Sequence, residues 1–317
     1  MRLLIGLAAG LLLSLAGAPA FACASCGCTL NTDLGSQGPV SGTGWRIGLR
    51  YDLIDQDQLR SGGDAVPMPT LPAPEEVEQK TRSTITTLNL DYGFSRAWGL
   101  DVQIPWLNRH HSTFAEGDTA LSTSSGDSLS DARVLGRYSG FTADLDWGLL
   151  FGLKLPTGSH DTVFASGPQA GVKLDRSLQP GSGTTNALLG AYHFDDFGPM
   201  SGWFLQALYE HALDSSDGFK PADSFNLNLG LRYYWRDDLT PQLQINAQVR
   251  GHDTDTDPSG ATNSGGRLLY LSPGFTFTLG DRWHGHLFVQ LPVYQYVYGL
   301  QLTPRRIYSA GLSYSFR

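Results

Sequence analysis

Cysteine is nearly missing from this 317-residue chain: there are three, all inside "FACASCGCTL" (Phe21 to Leu30). Nothing beyond Cys28 can join a disulfide, so a cross-linked framework over the rest of the chain is excluded. Basic residues are scarce too, 22 Lys and Arg against 30 Asp and Glu, for a formal charge of -8. A chain this acidic lacks the basic footprint of a nucleic-acid binder. Helical periodicity is hard to find after Leu30. The apolar stretch from Leu3 to Leu15 is too short for a membrane-spanning helix.

What stands at the front is a secretory leader over residues 1–22: Arg2 supplies the charge, Leu3 to Leu15 the apolar core, and Ala20-Phe21-Ala22 a small-x-small cleavage site. Cleavage after Ala22 makes Cys23 the new N-terminus. Cys23 is also where a lipoprotein leader would be acylated, but Ala20 and Phe21 fit that leader badly. The exported chain then meets an oxidising compartment. Residues 23–42 form a polar periplasmic segment carrying the cysteines, and residues 43–317 form the rest.

The dominant pattern of that rest is alternation over about ten residues, then a turn, then alternation again. In "DLDWGLLFGLKL" (Asp144 to Leu155), Trp147, Leu149, Phe151, Leu153 and Leu155 share one face with Leu145. Asp144, Asp146, Gly148, Leu150, Gly152 and Lys154 share the other. Phe225 to Arg236 and Leu243 to Arg250 repeat the scheme, with Asn, Gln, Gly and Arg opposite the apolar face. A soluble sandwich would put its polar faces outside. Long apolar faces with Trp and Tyr near their ends, set against polar and charged faces, are the inverted arrangement of a transmembrane barrel. Strands in lipid must close on themselves to pair every backbone group.

The predicted fold is therefore an all-β, closed antiparallel transmembrane barrel of twelve strands: 43–56, 80–94, 97–109, 129–139, 143–155, 184–194, 202–212, 223–236, 240–251, 266–279, 283–296 and 304–317. Connections 57–79, 110–128, 156–183, 213–222 and 252–265 are long, and those between are mostly short. Long outer loops alternating with short periplasmic turns put the protein in the outer membrane with both termini periplasmic. Tyr308, Ala310, Leu312, Tyr314 and Phe316 give the last strand a lipid face.

Three stretches carry a family resemblance: "GDSLSDARVLGRY" (Gly126 to Tyr138), "FGLKLPTGSHD" (Phe151 to Asp161) and "LDRSLQPGSGTTNALLGAYH" (Leu174 to His193). Their order and content resemble the outer-membrane family described as the "MetA-pathway of phenol degradation" transporters. The resemblance implies a channel whose solutes include hydrophobic or aromatic compounds. The cysteine cluster is not part of that pattern.

Candidate sites follow. Cys23, Cys26 and Cys28 pack three soft ligands into a small loop, a spacing that suits copper or zinc. A disulfide with one spare thiol is the plain alternative. His284 and His286 sit at the start of the eleventh strand with the parity of Gln290 and Tyr294, read as lumen-facing, and could join the thiolates at the periplasmic mouth. Arg46, Arg50, Asp52, Asp91, Asp101, Asp131, Arg133, Arg137, Asp144, Asp146, Lys154, Glu210, Arg232 and Arg250 have inward parity. Both signs are mixed and no ring of one sign is visible, so they read first as ladders satisfying one another and second as the lining of a path for a charged solute. His110, His111, Ser112 and Asp118 on an outer loop assemble no catalytic constellation.

The expected function is passage of a small solute through the barrel without chemistry, with membrane lipid and that solute as partners. The alternative is a metal-binding or redox protein that meets a periplasmic partner through residues 23–42, and the third reading is an outer-membrane hydrolase. A metal site at the cysteines predicts copper or zinc in the purified mature protein and its release by Cys26→Ala, read by elemental analysis. Metal content unchanged by that substitution would remove the site.

Overall fold

A computed structural model describes residues 43–255 and 261–316. The expected leader and the cysteine segment lie outside the described residues. Thirteen strands stand among those that are described: β1 (Gly44–Gly62), β2 (Asp64–Ala65), β3 (Val77–Gly93), β4 (Trp98–Phe114), β5 (Leu121–Leu129), β6 (Ala132–Tyr138), β7 (Trp147–Leu155), β8 (Asn186–Asp196), β9 (Ser201–Ala212), β10 (Ser224–Tyr233), β11 (Leu239–Arg250), β12 (Gly266–Leu279) and β13 (Trp283–Ser315). Each pairs antiparallel with its neighbour, and β13 pairs back onto β1, which closes the sheet. Among the described residues no helix is long and apolar enough to cross a membrane.

The wall has twelve staves. β2 is a two-residue flap on β1. β5 and β6 both pair with β4, on its two halves, and make one stave with a break between them. β13 folds in two at Gly299, whose φ of +68° suits glycine. Its first limb pairs with β12 and its second with β1. Contacts between the limbs tie them together, including Ser315 N–H to the Arg282 carbonyl at 2.9 Å and Gln295 to the Pro304 carbonyl at 3.0 Å.

The faces are inverted relative to a soluble protein. Gln244, Asn246, Gln290 and Asp52 are 0 % exposed, while Leu49 is 56 % and Leu189 60 % exposed. Along β1, outward residues are apolar from Trp45 to Leu53, then Asp55 and Asp57 face out and meet Lys80 at 3.2 Å and Arg305 at 3.0 Å. Ten residue steps at ~3.3 Å and the usual ~40° tilt give about 25 Å, the height of a lipid-facing band. Paired rings mark one end of the band: Trp45 with Tyr92 at 4.6 Å, Trp98 with Tyr138 at 4.6 Å, and Trp283 with Tyr314 at 4.9 Å. The short turns 94–97, 197–200 and 280–282 lie at that end.

Three expectations need correction. Pairing outlasts the apolar alternation, so β1 runs to Gly62 and β4 to Phe114, and much of 110–128 is strand rather than loop. Past the lipid band a strand needs only ladder hydrogen bonds, not an apolar face. Asp144 and Asp146 lie in the turn before β7, where Leu145 takes a φ of +58°, not on the strand. Tyr294 is 50 % exposed on the outside. Leu269 pairs with Tyr294 but Tyr270 with Pro292, so one extra residue, Val293, reverses the parity.

The inversion predicts that Ile245→Arg, at mid-strand on the lipid face, costs about 2–4 kcal/mol. Denaturant unfolding from lipid vesicles measures it.

Candidate functional site in the lumen

The lumen is organised where β5 meets β6. Leu129 pairs with Trp106 and Arg133 with Gln103, so one extra residue is inserted there. The bulge carries Ser130 and Asp131 into the lumen. Asp131 Oδ2 accepts from the Ser182 hydroxyl at 2.6 Å and its N–H at 2.9 Å, and Oδ1 accepts the Gly158 N–H at 3.1 Å. The Pro180 carbonyl accepts from Ser130 Oγ. Both ends of the segment 156–185 between β7 and β8 are thus fastened to one carboxylate. Gly181 N–H reaches the Ser159 carbonyl at 2.8 Å. A Cβ on Gly181 would lie 2.3 Å from the Gly158 carbonyl oxygen, so only glycine permits this approach.

The fastened segment turns inward. Its 3-10 turn, Arg176–Leu178, buries Leu178 against Phe164 and Leu174. Arg109 on β4 donates to the Leu178 carbonyl at 2.6 Å. Arg176 donates to the carbonyls of Ser182 at 3.0 Å and Ser216 at 3.3 Å. On the exposed side Lys173 meets Asp161 at 2.6 Å and holds that carboxyl below its ordinary range.

The charged residues of the wall are distributed as follows. Arg46 and Arg137 flank Asp91 at 3.2 and 3.5 Å. Asp101 accepts from Gln103 at 2.7 Å. Arg50 meets the fully buried Asp52 at 2.8 Å. Arg133 and Lys154 share Glu210 at 3.0 and 3.1 Å, and Asn186 donates to the same carboxylate at 2.7 Å. β6 and β9, which carry Arg133 and Glu210, are separated by β7 and β8, whose Lys154 and Asn186 join the same contact. Arg250 meets Asp253 at 2.5 Å. Arg232 lies 3.9 Å from Asp196 and over the rings of Phe204 and Tyr234. Asp144 is exposed in its turn, and Asp146 pairs at 3.5 Å with His193, which stacks on Trp147. Neither lines the lumen.

The side formed by β9 to β13 is filled. Asn246 donates to Asn228 at 2.7 Å and Gln244 at 3.2 Å, and accepts from Ser272 at 2.6 Å and Gln290 at 3.4 Å. Leu150, Tyr192, Phe194 and Phe204 form a buried apolar cluster beside it. The remaining space lies along β1, β3, β4, β6 and β7 and is also bordered by Arg250 of β11 and by both limbs of β13. A chamber of about 340 Å³ there is lined by wall residues such as Asp52 and Gln103 and by Arg176, Gln179 and Ser182 of the inward segment. A second, smaller space of about 80 Å³, toward the short turns, is lined by Arg46, Asp91, Asp101, His284 and His286. Arg50 and Gln103 border both, so the two follow one another along the lumen.

His284 and His286 thus face inward at the end where β1 begins, with His284 3.4 Å from Thr278 and His286 against Gly311. Among the described residues no three His, Cys, Asp or Glu side chains are grouped to hold a metal ion. Cys23, Cys26 and Cys28 lie outside the described residues. His110 to Ser112 are strand, not loop: His111 is buried 2.8 Å from Thr81, while Ser112 faces the other way beside Gln79. Asp118 caps its own turn through the Thr119 and Ala120 N–H groups. The structure does not bring these four together.

Sequence reasoning missed Arg109, Arg176 and the inward segment. One signal was available: Asp131, Gly158 and Ser182 come one each from the three stretches that carry the family resemblance.

No family model and no curated protein matches the chain. The fold is similar to an outer membrane channel from Pseudomonas putida F1, with 16% identity and a TM-score of 0.64 over 90% of this chain and 100% of that one. It is also similar to the beta domain of the Bordetella autotransporter BrkA, with 12% identity and a TM-score of 0.52 over 86% of this chain and 100% of that one. A channel and an autotransporter domain share this barrel, so fold alone does not select between tasks.

Asp131→Ala should release the inward segment. Hydrogen exchange in 156–185 is expected to speed up at least about tenfold while β8 to β11 stay protected, since bonds to a carboxylate are worth about 1.5–3 kcal/mol each. Gly181→Ala should do the same.

Proposed function

We propose that the chain is an outer-membrane channel that passes small solutes, hydrophobic or aromatic compounds among them, and performs no chemistry on them. One observation carries the reading. Two successive spaces run along one side of a polar lumen, inside a wall whose outer face is built for lipid. The inward segment narrows the larger one without being part of the wall, which is how a pore is given a size limit. The motif resemblance and the channel from Pseudomonas putida F1 point the same way.

Both described ends, Thr43 and Phe316, lie at the short-turn end, where Phe316 N–H meets the Trp45 carbonyl at 2.7 Å. Short turns face the periplasm in barrels of this kind, so both termini are assigned there. The partners are the surrounding lipid and the solute. Residues 23–42 lie outside the described residues, and a periplasmic partner at that segment is a proposal of its own.

Purified protein in planar bilayers is expected to give stepwise conductance. A barrel silent at every voltage would overturn the reading.

A further inference from the structure

The chain as a whole is acidic, 30 carboxylates against 22 basic side chains. The larger chamber reverses that balance. Arg50, Arg109, Arg133, Lys154, Arg176 and Arg250 line it, against Asp52 and Asp131. The six cations come from β1, β4, β6, β7, the inward segment and β11, so only the closed fold gathers them.

Ion pairs offset part of the excess, since Arg50 has Asp52 and Arg250 has Asp253, but the cluster around Arg133 keeps a surplus. Arg133 and Lys154 share the single carboxylate of Glu210. Asp131 spends its oxygens on Ser182 and Gly158, with Lys154 at 3.8 Å. Arg176 has its ion pair with Asp217, whose side chain is 76% exposed and outside the lining. A narrow cleft with low-dielectric walls focuses such a field and concentrates the opposite charge. Guanidinium groups present paired N–H donors that match a carboxylate. The same chamber offers apolar surface in Ile85, Pro105, Leu107 and Phe219.

We propose that this chamber selects small organic anions, a carboxylate attached to a compact apolar or aromatic body. The carboxylate is held between Arg133, Lys154 and Arg176, and the body lies against Leu107 and Phe219. Mixed-sign contacts occur at Arg46, Asp91 and Arg137 and also around the chamber, at Arg50 with Asp52 and at Arg133 and Lys154 with Glu210, and the proposal concerns the cations in excess of them. The proposal rests on the channel reading and refines its solute.

The test uses benzoate as probe and neutral benzamide as its control, on the full mature protein. In planar bilayers under a potassium chloride gradient, chloride should permeate several-fold better than potassium. Benzoate should block chloride current at concentrations about tenfold below those benzamide needs, as an added charged bond implies. Arg133→Gln and Lys154→Gln should each shrink that difference, and Glu210→Gln should widen it. Cation preference, or equal block by benzoate and benzamide, would overturn the proposal and leave the channel standing. A silent barrel would overturn the channel alone. Calorimetry in detergent then decides the chamber: benzoate binding weakened by Arg133→Gln supports it, and absence of benzoate binding in the unaltered protein ends it.

Discussion

Asp131 is the constraint on which the lumen depends. A barrel of twelve staves encloses more space than its wall side chains fill by themselves, and something must decide how much of it stays open. Here one carboxylate, pushed inward by a bulge, receives Gly158 from one end of a long connection and Ser182 from the other. With both ends held at the wall, the residues between have one short way to close, across the lumen. Arg109 and Arg176 then complete the seat by bonding backbone carbonyls. The close passage of Gly158 and Gly181 leaves no room for a side chain, so the knot requires a carboxylate, a hydroxyl and two glycines together.

The wall follows from a different demand. Lipid offers no hydrogen bonds, so every strand must find two neighbours, and β13 returning to β1 supplies the last pair. Inside, buried amides on β9 to β13 must find partners, and Asn246 finds four. Such a network replaces water without adding net charge, and it makes that side of the lumen a solid buttress.

Alternation made the wall legible. From Trp45 to Leu53, or Phe225 to Tyr233, each step of two residues returns to lipid, and no other fold class writes that pattern with its polar face buried. Parity failed where the backbone inserts a residue, at Val293, because a bulge leaves no compositional trace. It failed again at Asp144 and Asp146, where Leu145 in a left-handed conformation ends the strand rule early. The upper reaches of β1 and β4 were hidden for a simpler reason. Beyond Asp55 the outside is water, and the alternation that marks a strand loses its cause.

The charge pattern shows why the site was harder to read than the fold. In sequence the lumenal charges are spread over many strands, and both signs occur throughout, so no local window shows an excess. Closure sorts them. Arg46, Asp91 and Arg137 bind one another toward the short turns. Around the larger chamber Asp131 fastens the inward segment, Glu210 is shared between Arg133 and Lys154, Asp52 and Asp253 pair with Arg50 and Arg250, and the cations lining the space outnumber its carboxylates. The same residue, Asp131, therefore has two consequences. It holds the segment that narrows the passage, and in doing so it engages its own carboxylate with Ser182 and Gly158 at the chamber wall, where arginines and Lys154 outnumber it.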